Sequence, residues 1–157
     1  MADYVDYELL AKQVASLIEG ERVRVSVLAN VSALLNEALP DVSWVGFYWT
    51  HVDGDLVLGP FQGKVACTRI AWGKGVCGTA AQLDKTQLVP DVHAFPGHIA
   101  CDSASRSEVV VPIHEADRVV GVLDLDSTTP ARFSERDAAG LKTIVATLEA
   151  FLPELDS

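Results

Sequence analysis

The residues best suited to chemistry are three cysteines, Cys67, Cys77 and Cys101, and three acids, Glu108, Asp124 and Asp126. No two cysteines form a CxxC pair, and each sits among small residues and glycines. The start of the chain, MADYVDYELL, carries acids and no basic leader segment, and no apolar run reaches the ~18 residues of a membrane span. The expected compartment is the cytoplasm. In that reducing setting thiols serve reactivity or metal binding more often than structure.

The cysteines differ in local context. Cys101 lies in Gly97-His98-Ile99-Ala100-Cys101-Asp102-Ser103, a loop sequence that lets a thiol approach a substrate. His98 and Arg106 would lower its pKa from about 8.5 if they fold beside it, whereas Asp102 and Glu108 would raise it. The alternative is a buried, inert cysteine. Cys77, in Gly75-Val76-Cys77-Gly78-Thr79, opens a short helix whose N-terminus favours a thiolate. On local evidence it is the best nucleophile, and its alternative is a small core residue. Cys67 has no activating neighbour and reads locally as core.

Two other uses of the thiols have weaker support. A Cys67–Cys101 bridge would close a loop of about 35 residues, worth about 3–4 kcal/mol in the chain-entropy model. Magnitude allows it, but the expected compartment and the odd third thiol argue against a structural bridge. Zinc held by the cysteines with His93 or His98 would lack the closely spaced ligand pairs of structural sites, since the thiols are 10 and 24 residues apart. No metal and no cofactor is expected.

Asp124 and Asp126 flank Leu125 in a strand-like run, so both carboxylates share one face. Adjacent like charges there require a cation or a shared proton. Glu108 opens the neighbouring strand and can lie beside them. Such a group could bind an ammonium and hold a proton for a substrate. The alternative is a solvated strand end. Trp44, Gly46 and Tyr48 alternate with Val45, Phe47 and Trp49. One face must pack on helices, and the other can line a pocket or simply add core.

These residues need a scaffold. The 157 residues suit one domain spanning 1–157. Twenty-two acidic against 12 basic residues give a net charge of −10, which argues against nucleic acid and anionic membranes. Helical spacing runs from Tyr7 to Ile18 with Leu9, Leu10, Val14, Leu17 and Ile18 apolar. A second helix runs from Val23 to Leu39 with Val25, Leu28, Val31, Leu34 and Leu35 on one side, stopped by Pro40.

Strands are expected at Val42 to Trp49, Leu56 to Leu58, Val65 to Ile70, Gln87 to Val89, Ser107 to Ile113 and Arg118 to Asp126. A short helix spans Gly75 to Leu83. Pro90 to Arg106 is a long loop, a length usually tied to function or disorder. Ser134-Glu135-Arg136-Asp137 is an N-cap signature for a last helix. The order fits an α+β fold with a central antiparallel sheet and terminal helices on one face.

Together the segments resemble the free methionine-(R)-sulfoxide reductases, enzymes built on a GAF domain. The matching stretches are Trp44-Val45-Gly46-Phe47-Tyr48, Leu58-Gly59-Pro60-Phe61-Gln62-Gly63-Lys64 running into Cys67, and Gly73-Lys74-Gly75-Val76-Cys77-Gly78-Thr79-Ala80. Further on come Asp91-Val92-His93, Gly97-His98-Ile99-Ala100-Cys101-Asp102, Ser107-Glu108-Val109-Val110-Val111-Pro112, and Gly121-Val122-Leu123-Asp124-Leu125-Asp126-Ser127.

The resemblance implies a GAF-like domain with a ligand pocket on the sheet face away from the helices. It implies reduction of free methionine sulfoxide, R epimer. Cys101 would be the attacking thiol, Cys67 the main resolving thiol and Cys77 a secondary one. Glu108, Asp124 and Asp126 match the family's acidic substrate-site residues, with Glu108 or Asp126 as the acid, and Trp44 and Tyr48 match its aromatic wall. Thioredoxin as reductant and a homodimer are also implied. The competing reading is a GAF-type sensor that binds a small ligand without catalysis.

Overall fold

Alternating apolar residues build the sheet. The computed structural model describes residues 4–98 and 103–156. Strands β1 (Trp44–Thr50), β2 (Leu56–Gln62), β3 (Arg69–Ile70), β4 (Gln87–Val89), β5 (Ser107–Glu115) and β6 (Arg118–Ser127) form one antiparallel sheet ordered β3-β2-β1-β6-β5-β4. The β5–β6 turn places Ala116 and Asp117 at φ 53° and 61°, the left-handed pair that suits a tight hairpin.

Four α-helices occur among the described residues: α1 (Tyr7–Ile18), α2 (Arg24–Ala38), α3 (Gly75–Leu83) and α4 (Glu135–Phe151). On one sheet face, Val45, Phe47, Val109, Val111, Leu123 and Leu125 pack against α1, α2 and α4 through Leu10, Val14, Val31, Leu35, Leu141 and Leu148. The expected layering of terminal helices on one face therefore holds. The α4 N-terminus carries the capping box, with Ser134 and Asp137 exchanging hydrogen bonds with each other's backbone N–H groups. Asp137 also accepts from the Tyr7 hydroxyl at 2.6 Å, which ties α4 to α1.

The opposite face holds a second, smaller core: Trp44, Tyr48, Leu56, Ile70, Val76, Ala80, Val110 and Val122. Helix α3 covers it. No helix among the described residues is long and apolar enough to cross a membrane.

Some local expectations need correction. Val65 to Ile70 is not one strand; pairing is confined to Arg69–Ile70, opposite β2, and Val65 is exposed. The stripe of α2 is Val27, Leu28, Val31 and Leu35, with Val25 exposed, and Leu9 of α1 also faces outward. Strand β2 runs on to Gln62, because β1 pairs with it again beyond a register shift between Gly46 and Tyr48, at Phe61 and Gln62.

Candidate active site

The site starts from period-two alternation in three neighbouring strands. Glu108 of β5 pairs in register with Asp126 of β6, which pairs with Trp44 of β1. One row further along, Asp124 pairs with Val110 and Gly46. Leu125 points into the helix-side core. The three carboxylates thus share the face opposite the terminal helices and line one cavity with Trp44, Tyr48, Lys74, Gly75, Val76, Cys77, His98 and Ser105. The solvated strand end is ruled out, since Glu108 and Asp124 are only 6% and 5% exposed. Asp126 is half-buried.

Crowding these acids changes their protonation. Burial pushes the Glu108 carboxyl well above its ordinary range, and the charges of Asp124 and Asp126 push it further. Burial also raises Asp124, partly offset by hydrogen bonding from Glu108 and Cys77. The cluster therefore favours holding a proton and leaves strong acceptors for a cation.

The aromatic wall also fixes the chain that carries Cys67. The Trp44 indole N–H donates to the Lys64 carbonyl at 3.0 Å, and the Tyr48 hydroxyl donates to the Cys67 carbonyl at 3.0 Å. Burial, then the charge of Asp124, raises the Tyr48 pKa, so its hydroxyl keeps the proton it donates. Gly63 lies at φ +136°, and a Cβ there would meet the Trp44 ring at 2.5 Å. Gly46 does not leave room for a ligand. A Cβ on it would meet Phe61 at 2.3 Å, and Phe61 stacks on Trp44 at 5.2 Å. The glycine lets the wall pack on itself.

The thiols fall into different settings. Cys67 is half-buried in the segment before β3 and is disulfide-bonded. Cys77 is a free, buried thiol on the first turn of α3. Helix-end activation does not prevail there. Burial pushes the thiol up, and Asp124, Glu108 and Asp126 add to it. The local choice of Cys77 as nucleophile is thereby overturned, because its neighbours come from strands distant in sequence. Cys101 lies outside the described residues. Its flanks do not: His98 and Ser105 both line the cavity. Burial, then His93, lowers the His98 pKa, which favours a neutral imidazole.

Among ligand-type atoms, Cys77 Sγ and one oxygen each of Glu108 and Asp124 lie within 4.8 Å of one another. This is not the expected zinc alternative of three cysteines and a histidine. The pocket contributions of Lys74 and Ser105 were missed from sequence. The run Gly73-Lys74-Gly75 at a helix start was the available signal for Lys74; Ser105 had none.

Comparison with known proteins places the chain in a family. The GAF-domain family profile matches residues 26–152. The free methionine-R-sulfoxide reductase of Escherichia coli (strain K12) is 50% identical over 150 residues, covering 96% of this chain and 90% of that protein. The fRMsr of Staphylococcus aureus in complex with substrate superposes with a TM-score of 0.90 at 49% identity, covering 97% and 99% of the two chains. The free methionine-R-sulfoxide reductase of Neisseria meningitidis, in complex with its substrate, gives 0.91 at 46%, covering 94% and 89%. A GAF fold with buried carboxylates lining one cavity defines the class. The chain belongs to the GAF-domain family, in the branch that holds the free methionine-R-sulfoxide reductases.

Proposed function

We propose that the protein reduces free methionine (R)-sulfoxide to methionine in the cytoplasm, with thioredoxin as reductant. The observation that carries this is the trio Glu108, Asp124 and Asp126 in one cavity, bordered by both flanks of Cys101. The relatives named above support the substrate. A free amino acid brings an α-ammonium, and Asp124 and Asp126 supply its counter-charge. A peptide-bound residue lacks that cation and brings extra chain into the pocket.

The Cys101 thiolate attacks the sulfoxide sulfur while Glu108 protonates the oxygen. The upward shift of Glu108 favours it over Asp126 as the acid. Oxygen passes to Cys101 as a sulfenic acid, and methionine leaves. Cys67 then condenses with the sulfenic acid to form a disulfide and one water. That Cys67 is bridged while Cys77 is free supports Cys67 as resolving thiol, and of three cysteines Cys101 is the partner we assign. A reduced dithiol, thioredoxin, exchanges with the bridge and restores both thiols.

The test is NADPH oxidation coupled through thioredoxin and its reductase. Signal should require free methionine (R)-sulfoxide and disappear in Cys101→Ser. Substrate binding without turnover by the unaltered protein would instead favour a sensor module.

A further inference from the structure

The pocket floor combines sulfur with oxygen. Cys77 Sγ and one oxygen each of Glu108 and Asp124 converge within 4.8 Å, all three residues buried. Each comes from a different element, α3, β5 and β6, so the triangle is braced by tertiary packing. Asp124 Oδ1 is buried with no hydrogen-bond partner among the described residues, and its side chain lines the cavity. Leaving a buried acceptor unpaired is costly, and a bound cation would offset that cost.

We propose that Cys77, Glu108 and Asp124 form a binding site for one zinc ion, which blocks the pocket when occupied. The donor set selects the metal. One thiolate with two carboxylate oxygens suits borderline-soft Zn²⁺, with bonds of about 2.0–2.3 Å. Magnesium and calcium prefer oxygen donors throughout. Such bonds place tetrahedral ligand atoms roughly 3.3–3.8 Å apart, so modest side-chain rotation completes the triangle. The fourth position opens into the cavity and is left to water. Binding needs only these residues, but the blocking effect rests on the proposed function, which gives Asp124 and Glu108 to the substrate.

The experiment uses the full chain with Cys67→Ser and Cys101→Ser, so that Cys77 is the remaining thiol. Calorimetric titration with zinc chloride should give one ion per chain. Adding Cys77→Ser or Asp124→Asn should weaken binding at least tenfold, with circular dichroism confirming the fold. Absence of one-to-one binding, or folded variants that bind zinc as tightly as their parent, would overturn the site. Should both variants unfold, cobalt chloride added to the parent decides: a thiolate-to-metal charge-transfer band supports the site, and its absence rejects it. Excess free methionine (R)-sulfoxide should weaken zinc binding at least tenfold. Zinc affinity unmoved by the sulfoxide would leave the metal site standing and count against the substrate reading.

Discussion

At the scale of single residues, Glu108 trades stability for chemistry. Its folded-state pKa is raised above the ordinary 4.5, by burial first and then by its acidic neighbours. The folded protein thus keeps a proton that the unfolded chain gives up. Stability from this group falls as pH rises from about 4.5 through the folded value. Glu108→Gln should therefore melt at a higher temperature than the parent at neutral pH. The gain should fade as the pH drops below the ordinary carboxyl range, which thermal melts across pH will show. The same variant should lose about 10²–10⁴-fold in kcat. Tyr48→Phe removes the hydroxyl that holds the Cys67 carbonyl. With a hydrogen bond worth about 1 kcal/mol, disulfide formation should slow by roughly fivefold, read as thiol loss after stoichiometric sulfoxide, while the first methionine released is unaffected.

At the scale of elements, one joint between helices and one between helices and sheet each make a prediction. Gly140 of α4 lies beneath the Tyr7 ring, and a Cβ there would meet it at 2.1 Å. Alanine favours a helix interior by about 1 kcal/mol over glycine, but the rigid ring leaves no space. Gly140→Ala should be net destabilising by roughly 1–3 kcal/mol, measured by urea unfolding. His114 of β5 joins Asp84 at the end of α3 and Glu149 of α4, with Nδ1 2.8 Å from Glu149. Burial opposes the imidazolium, but hydrogen bonds to the two carboxylates outweigh it and raise its pKa above 6.5. That stabilisation is fully present below pH 6.5 and is lost as pH rises through the folded value. The stability lost in His114→Ala should accordingly be largest in mild acid and shrink toward alkaline pH.

Across the whole molecule, legibility followed the range of the interactions. Helices α1 and α3 and strand β4 occupy the stretches their patterns and turn residues marked, because local spacing decides them. Period two placed Asp124 and Asp126 together, and register brought Glu108 beside them. Residues 65–68 were misread as strand because the hydrogen bonds that fix this stretch, at the Lys64 and Cys67 carbonyls, come from Trp44 and Tyr48, far back in the chain. Cys77 misled for a related reason: helix-end activation is visible in sequence, but the acids that oppose it arrive only on folding. The roles assigned to the cysteines came from resemblance, and Cys101 lies outside the described residues. The central claim is that buried carboxylates recognise a free amino acid through its ammonium. It is tested most directly by comparing kcat/KM for free methionine (R)-sulfoxide with that for its N-acetyl derivative. Loss of a charged hydrogen-bonded pair worth about 1.5–3 kcal/mol, together with the added acyl bulk, predicts a fall of at least about tenfold. Equal rates on the two compounds would contradict the account.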